Sequence, residues 1–463
     1  MATASTLPAS PIDSTTRNLF GHPRGLTYLA FTEAWERFSF YGMSALLLLY
    51  MIQHLLTPGV SNGVLGLGEF RTALATLTGP LSNQAFASQM LGLYTGLVYF
   101  TPVFGGLLAD RLLGQRRTVV LGALFMTAGH ALMASESGFL IALLLLIVGT
   151  GCLKGNISVQ VGHLYRPEDD GRRTRAFAIF SAAINVGALL GPLVCGILAQ
   201  LHGWHVGFGA AGAMMLIALA IYLAGWKHLP PDRKRQRGAA AKSAMTASDW
   251  RIVAALLFLT AIGVLPCVAY YQEMNAGLLF IEASVDRSLF GRALPTASFN
   301  ALDGLFCILA VPLLIALWRW QAKRGREPGE TGKIMIGYLI IAGANLMMIV
   351  PAGWADRGEV VGAIWPVTLY ALNALGFTYY WPTLLALFSR AAPKQIHATM
   401  MGVVFLSIFV GNLLVGALAG LWETISHAGF FALHAALAFG AFLIMWLVAR
   451  PLNRLLHTEK TDS

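Results

Sequence analysis

Glu33-Ala34-Trp35-Glu36-Arg37-Phe38-Ser39-Phe40-Tyr41 lies inside an apolar segment running from 26 to 56. That segment is long enough to cross a bilayer, for which roughly 20 apolar residues suffice. On a helix Glu33, Glu36 and Arg37 stand at i, i+3 and i+4, and Phe40 and Tyr41 carry the same face up another turn. Two carboxylates and a guanidinium are thus stacked along one stripe of a membrane helix. A charge at membrane depth costs on the order of 3 kcal/mol even on insertion scales, so the cluster must face protein or water. A salt bridge that only fixed helix packing would need a single acid beside Arg37. The second acid points to a proton or ligand site.

The rest of the chain suits such a helix. Of 463 residues, 56% are hydrophobic and 12% charged, with a mean hydropathy of +0.65. A soluble chain carries about 25% charged residues, so the composition predicts a polytopic membrane protein and excludes a soluble domain. The net charge of +10 is then a topology signal before it is a sign of nucleic-acid binding, and no nucleic-acid partner is expected. Cys152, Cys195, Cys267 and Cys307 all fall in apolar segments without metal-ligand spacing. They read as small core residues, and no metal site is expected. The first two dozen residues are polar, with no n-region or cleavage site, so no removable signal peptide is expected.

Apolar segments fall at about 26–56, 85–109, 117–135, 138–164, 174–201, 205–226, 250–282, 298–320, 334–355, 360–389, 397–423 and 427–449. The basic residues between them alternate. Arg37 and Lys154 sit within segments, and alternate loops hold only Arg71, Arg287, Arg292 and Arg357. The other 26 of the 32 Lys and Arg lie on the opposite side. The positive-inside rule then puts both termini in the cytoplasm, and the alternation supports twelve spans. Lys227 to Asp249, with Pro230-Pro231 and the basic run Arg233-Lys234-Arg235-Gln236-Arg237, divides the chain into 1–226, a cytoplasmic linker 227–249, and 250–463. The fold class is therefore an all-α membrane protein of two six-helix bundles, which fits the major facilitator architecture with its site near the midplane between the halves.

Other polar residues fall at membrane depth. Lys154, in Gly149-Thr150-Gly151-Cys152-Leu153-Lys154-Gly155, is too deep for easy snorkelling and is surrounded by small residues that leave room for a ligand or a helix. It could also serve only as a partner for an acid of the first segment. Asn185 in the fifth segment is either interhelical glue or a ligand. The seventh carries Tyr270, Tyr271, Gln272, Glu273 and Asn275, and Pro266 is expected to kink it just before them. Asn300 and Asp303 follow in the eighth, Asn373 and Tyr379-Tyr380-Trp381-Pro382 in the tenth, and Ser407 and Asn412 in the eleventh. Gly105-Gly106-Leu107-Leu108-Ala109-Asp110-Arg111-Leu112-Leu113-Gly114-Gln115-Arg116-Arg117 joins the second and third, and its acid at a helix end followed by basic residues can clasp neighbouring helix ends. It resembles the cytoplasmic gate motif of the major facilitator superfamily, with Asp110 and Arg111 as gate residues.

The first-segment stretch resembles the Glu-x-x-Glu-Arg-Phe-x-Tyr-Tyr motif of the proton-dependent oligopeptide transporters, the peptide transporter branch of that superfamily. Gly105 to Gly129 looks like that family's first signature, Phe180 to Leu189 like its second, and Lys154 falls where the family has a lysine on its fourth helix. The resemblance covers nearly the whole chain. It implies proton-coupling residues Glu33, Glu36, Arg37, Lys154 and Glu273, and substrate-binding residues Arg37, Tyr41, Tyr99, Lys154, Asn185, Gln272, Asn300 and Asp303. Several positions depart from the pattern. Phe40 replaces a motif tyrosine. An arginine and a glutamate that pair in some members fall at Ser44 and Gln272, a histidine of animal members falls at Gly92, a glutamate of the tenth helix at Phe377, and an asparagine of the eighth at Asp303. The extracellular gate must therefore close differently, with Glu273 and Asp303 the ionisable groups at hand.

Glu33, Glu36, Glu273 and Asp303 against Arg37 and Lys154 make four acids to two bases, so at least one acid is expected to take up a proton. A zwitterionic peptide fits the same set. Its carboxylate suits the fork of Arg37, with Lys154 as a point charge. The expectation is a proton-coupled symporter of di- and tripeptides in a bacterial inner membrane, monomeric, surrounded by membrane lipids, with protons as the coupling ion and no other cofactor. A membrane-embedded enzyme would need a nucleophile–base pair or a metal set, and neither stands out. A sensor with a transporter fold would bind ligand without accumulating it. Because plant relatives carry nitrate, a symporter of nitrate or another small anion is the alternative within transport.

Overall fold

The computed structural model describes residues 18–19, 21–166, 169–232, 244–289 and 291–457. The basic run from Arg233 to Arg237 lies outside them. In chain order the long helices are α1 (Arg24–Leu55), α2 (Asn83–Leu113), α3 (Gln115–Leu132), α4 (Glu136–His163), α5 (Gly171–His202), α6 (Trp204–Ala224), α7 (Ala247–Ser284), α8 (Thr296–Ala322), α9 (Glu330–Ala355), α10 (Ile364–Ala391), α11 (Thr399–Glu423) and α12 (His427–Leu456). Ten of these, all but α3 and α10, are long and apolar enough to cross a membrane. Both exceptions are diluted by polar residues. Gln115-Arg116-Arg117 opens α3, and Asn373 and Thr378 to Thr383 interrupt α10. Sequence reasoning missed the helix Leu67–Thr78 between α1 and α2, too short to span. The strands are two-residue pairs in loops, such as Val285–Asp286 beside Val361–Gly362.

Helix α1 packs on α5 and α6, α2 and α3 on α4, and α3 on α6. In the second half α7 packs on α11 and α12, α9 on α10 and α12, and α8 on α10. The halves meet along α2 with α11 and along α5 with α8. Two apolar cores result. One fills the first half and runs on through the ends of α7, α9 and α11 and the starts of α10 and α12, for example Phe280, Met348, Tyr370, Trp422 and Phe431. The other, around Leu256, Ile341, Leu387 and Met445, is confined to the second half. The halves are thus joined by apolar packing at the end away from the chain's N-terminus and have separate cores at the other. Leu144, Leu216, Leu313 and Leu447 are exposed around the outside, a girdle that suits lipid rather than water.

Local chemistry fixes the helices that matter here. Helix α7 starts with a capping box. Thr246 Oγ1 accepts from the Asp249 amide at 3.1 Å, and Asp249 Oδ2 accepts from the Thr246 amide at 2.7 Å. Such caps contribute about 1 kcal/mol. Pro266, expected to kink α7, lies inside its α-helix. The α-helix runs through it to Tyr271, gives way to a 3₁₀ turn over Gln272–Met274, leaves helical geometry at Asn275 (φ −122°, ψ −99°), and resumes at Ala276. One proline removes one backbone bond, which neighbours can absorb. The off-helix Asn275 breaks the ladder itself.

Candidate functional site

Glycine on α5 lets α1 hold its charges inside the first half. A Cβ on Gly187 would lie 2.4 Å from the Ala34 carbonyl oxygen and 2.7 Å from Arg37 Cβ, so any larger residue would push α5 off the charged turn. Arg37 is 2% exposed, Glu33 2% and Glu36 0%. Arg37 Nε stands 3.1 Å from Glu33 Oε1, and Nη2 donates to Glu36 Oε1 at 2.8 Å, while Nε also contacts Glu36 Oε2. The guanidinium lies 5.4 Å from the Phe40 ring centroid, so the ring that replaces a motif tyrosine still covers the cation. Glu33 Oε2 is buried with no hydrogen-bond partner among the described residues.

Lys154 takes a different partner. Its Nζ sits 3.8 Å from the ring centroid of Tyr99, and among the described residues no carboxylate lies within salt-bridge distance of it. The Tyr99 hydroxyl is 3.5 Å from that of Tyr271 across the two halves. Tyr99 therefore connects a half-buried ammonium to a cavity of about 320 Å³ between the halves. Of the sequence-predicted substrate residues, Tyr41, Tyr99, Asn185, Asn300 and Asp303 line this cavity. Arg37, Lys154 and Gln272 stand behind its wall. Ser44, Phe377 and Asn412 also face it, and Thr95 Oγ1 donates to Asn412 Oδ1 at 2.9 Å between α2 and α11.

The opposite wall presents Asp303, with Glu273 behind it, and no described cation. Glu273 is 2% exposed; its Oε2 accepts from Asn373 Nδ2 at 2.8 Å, and Oε1 is buried without a hydrogen-bond partner among the described residues. Asp303 Oδ1 accepts from the Tyr270 hydroxyl at 2.7 Å and lies 3.8 Å from Cys307 Sγ. The Tyr370 hydroxyl stands 2.7 Å from Asn300 Oδ1 and 3.2 Å from the Glu273 carbonyl. Every described donor at this wall is neutral. The wall can offer a carboxyl group to a cation or hold a proton, and it has no fixed charge for an anion.

A cavity at the junction of two helical halves, with cations behind one wall and Asp303 on the other with Glu273 behind it, is the arrangement of a transport site. Comparison with known proteins agrees. The POT family model matches residues 116–247 and 234–435. The chain belongs to the POT family. It is 31% identical to the uncharacterized transporter YclF of Bacillus subtilis (strain 168), over 90% of this chain and 91% of that one. It is 28% identical to a di-/tripeptide transporter of Lactococcus lactis subsp. lactis (strain IL1403), over 96% and 99%. A crystal structure of peptide transporter POT in complex with sulfate superposes with a TM-score of 0.83 at 27% identity, covering 95% of this chain and 97% of that one. Family and relatives are transporters, not enzymes.

Within this POT-family fold, other expectations meet geometry. Gly92 has no room for a histidine, because a Cβ there would stand 2.4 Å from the Asn412 carbonyl oxygen and 2.9 Å from Gly416 on α11. The Gln272 amide is buried without a hydrogen-bond partner among the described residues, so no bond to Ser44 forms. The halves instead meet at the end away from the N-terminus through Asn275 Nδ2 to the Ser88 carbonyl at 3.2 Å, Gln53 Nε2 to Glu282 at 3.2 Å, and Ser82 to Glu423. At the other end Asp110 and Arg111 are exposed, with only a 3.5 Å contact from Gln115 Nε2 to Asp110. Arg116, one of the basic residues that follow Asp110, does more. Its backbone amide donates to Asp232 at 2.8 Å, its Nε donates to the Pro230 carbonyl at 2.6 Å, and its guanidinium lies over Trp226.

Three further readings change. Cys307 is not a core cysteine, because it lines the cavity beside Asp303. His130 was overlooked, yet it is 3% exposed and its Nε2 lies 2.6 Å from Ser39 Oγ inside the motif. An imidazole at membrane depth was the available signal. A metal-capable set does exist, in His54, Glu136 and His205. Residues so far apart in sequence leave no spacing to read.

Proposed function

We propose that this protein is a proton-coupled symporter that imports di- and tripeptides by alternating access in a bacterial inner membrane. The observation that carries the reading is the asymmetry of the cavity, with Arg37 and Lys154 behind one wall, and Asp303 on the other with Glu273 behind it. A zwitterion matches both walls at once, its carboxylate towards the cations and its ammonium towards the acids. Nitrate or another small anion would match one wall and face bare carboxyl groups on the other. The Lactococcus relative is named as a di-/tripeptide transporter, which supports the same choice.

Coupling follows from what the ligand displaces. A carboxylate that engages Arg37 takes donors from Glu33 and Glu36, and a proton on the acid that loses them removes the bare charge. Glu33 Oε2 and Glu273 Oε1 have no described hydrogen bond to lose and are the natural proton sites. Proton and peptide then load together, and the halves rock around the site. The proposal includes twelve spans in two six-helix bundles, 1–226 and 250–463, joined by the linker 227–249, with both termini cytoplasmic. The helix contacts and the alternation of basic loops support it. It further includes a monomer among membrane lipids, with protons and no other cofactor. On this orientation the packed end is extracellular.

Counterflow in proteoliposomes tests the substrate. A labelled dipeptide should enter against preloaded unlabelled dipeptide, and excess dipeptide, not excess nitrate, should compete. Entry of labelled nitrate blocked by nitrate and untouched by dipeptide would contradict the peptide reading.

A further inference from the structure

At the packed end of the first half, well away from the cavity, three potential ligands converge from three elements. His54 stands where α1 ends in a π-helical turn, Glu136 opens α4, and His205 opens α6. His54 Nε2 lies 3.1 Å and His205 Nε2 3.0 Å from the same oxygen, Glu136 Oε1. All three ligand atoms fall within 4.8 Å of one another. The side chains are 35%, 36% and 39% exposed, so water and small ions reach them. The buried Tyr50 ring backs both imidazoles, its centroid 5.4 Å from that of His54 and 6.1 Å from that of His205.

The tautomer of His205 makes this more than a polar contact. Its Nδ1 lies 3.2 Å from the Met133 carbonyl, which can only accept, so Nδ1 carries the hydrogen. In the neutral ring Nε2 then bears a lone pair aimed at a carboxylate oxygen 3.0 Å away. Two acceptors at that distance need a proton or a metal ion between them. His54 brings a second ring nitrogen to the same oxygen. One divalent cation would satisfy all three groups at once. A backbone carbonyl holding the far nitrogen of a histidine is the usual support of a metal ligand. Tetrahedral zinc, with bonds of about 2.0–2.1 Å, sets its ligand atoms about 3.3 Å apart, a few tenths beyond the separations here.

We propose that His54, Glu136 and His205 form a transition-metal site, with Zn²⁺ as the ion best suited to two imidazoles and a carboxylate and a fourth position left for water. A bound ion would tie the ends of α1, α4 and α6 together within the first half, next to Gln53, which bonds Glu282 across the halves.

The test is independent of transport. Full-length protein in detergent, with its tag removed and metal stripped by a chelator, is titrated with Zn²⁺ alone near neutral pH by calorimetry. One saturable site per chain is expected, with His54→Ala, Glu136→Gln and His205→Ala each weakening it at least about tenfold. Because any variant could perturb folding, zinc X-ray absorption of the unaltered protein gives a second readout, expected to show two imidazole nitrogens in the first shell. Affinity unchanged in the His54→Ala, His205→Ala double variant, a spectrum without imidazole, or no saturable binding up to about 1 mM would overturn the site and leave a His–Glu ion pair only.

Discussion

The two acid clusters of this protein differ in what neutralises them. On α1, Glu33 and Glu36 share one guanidinium, with ion-pair contacts inside a single helical turn. Across the cavity, Glu273 and Asp303 have an amide and a phenol as donors and no described cation. The first cluster is an ion pair with an acid to spare, so a competing carboxylate can open it. The second is neutral scaffolding around carboxyl groups, so it can hold protons or an ammonium with little rearrangement. Binding on one side and charging on the other are separate jobs, which makes them separable by mutation.

The largest difference should come from removing the shared cation. Arg37→Ala leaves two buried carboxylates without a partner, and breaking a buried pair in this way costs about 3–5 kcal/mol. A marked drop in unfolding temperature and no uptake are expected. Glu273→Gln removes an acid that has no cation to orphan, so stability should hold while uphill uptake is lost. Equal destabilisation by the two changes, measured by thermal unfolding in detergent, would erase the distinction.

Lys154→Ala should come next. Its visible partner is the Tyr99 face, worth about 0.5–2 kcal/mol, so the fold should survive while gradient-driven uptake falls to background. A stable Lys154→Ala protein with unchanged uptake would return the lysine to a packing role. For Glu33→Gln and Glu36→Gln a split is predicted, with counterflow better preserved than accumulation, because exchange needs no net proton movement. Normal accumulation in both would make the α1 acids structural.

Ser44→Ala should do least. Ser44 makes no bond to Gln272, and the packed end is closed by Asn275, Gln53 and Ser82 instead. Driven uptake should stay near that of the unaltered protein, while Glu273→Gln changes how its residual uptake depends on pH. A large loss in Ser44→Ala would move the gate back to that pair.

The α1 cluster was legible because charges inside an apolar helix are conspicuous, and their i, i+3, i+4 spacing already places them on one face. Ten of the helices were legible from long apolar runs, whereas α3 and α10 carry enough polar residues to fall short on apolarity alone. The partners of the second cluster were not. That Asn373 would meet Glu273, and Tyr370 meet Asn300, depends on which faces of α7, α8 and α10 touch, and residues 100 and 70 positions apart carry no local trace of that. Pro266 was readable as a lost backbone bond, whereas the departure from helical geometry at Asn275 left no such mark. His130 was readable by the rule that singled out Lys154; its contact with Ser39 was not. Arg116 was readable as one of the basic residues that follow Asp110 in the gate motif, and only the folded linker start at Leu229 to Asp232 shows what it holds.

The central claim is that a buried excess of acids makes peptide movement depend on protons. Its most direct test is dipeptide uptake into proteoliposomes with the pH gradient and the voltage imposed separately. The account predicts accumulation above equilibrium only when an inward proton driving force is present, and its loss in Glu273→Gln. Equal accumulation with and without that force would contradict it.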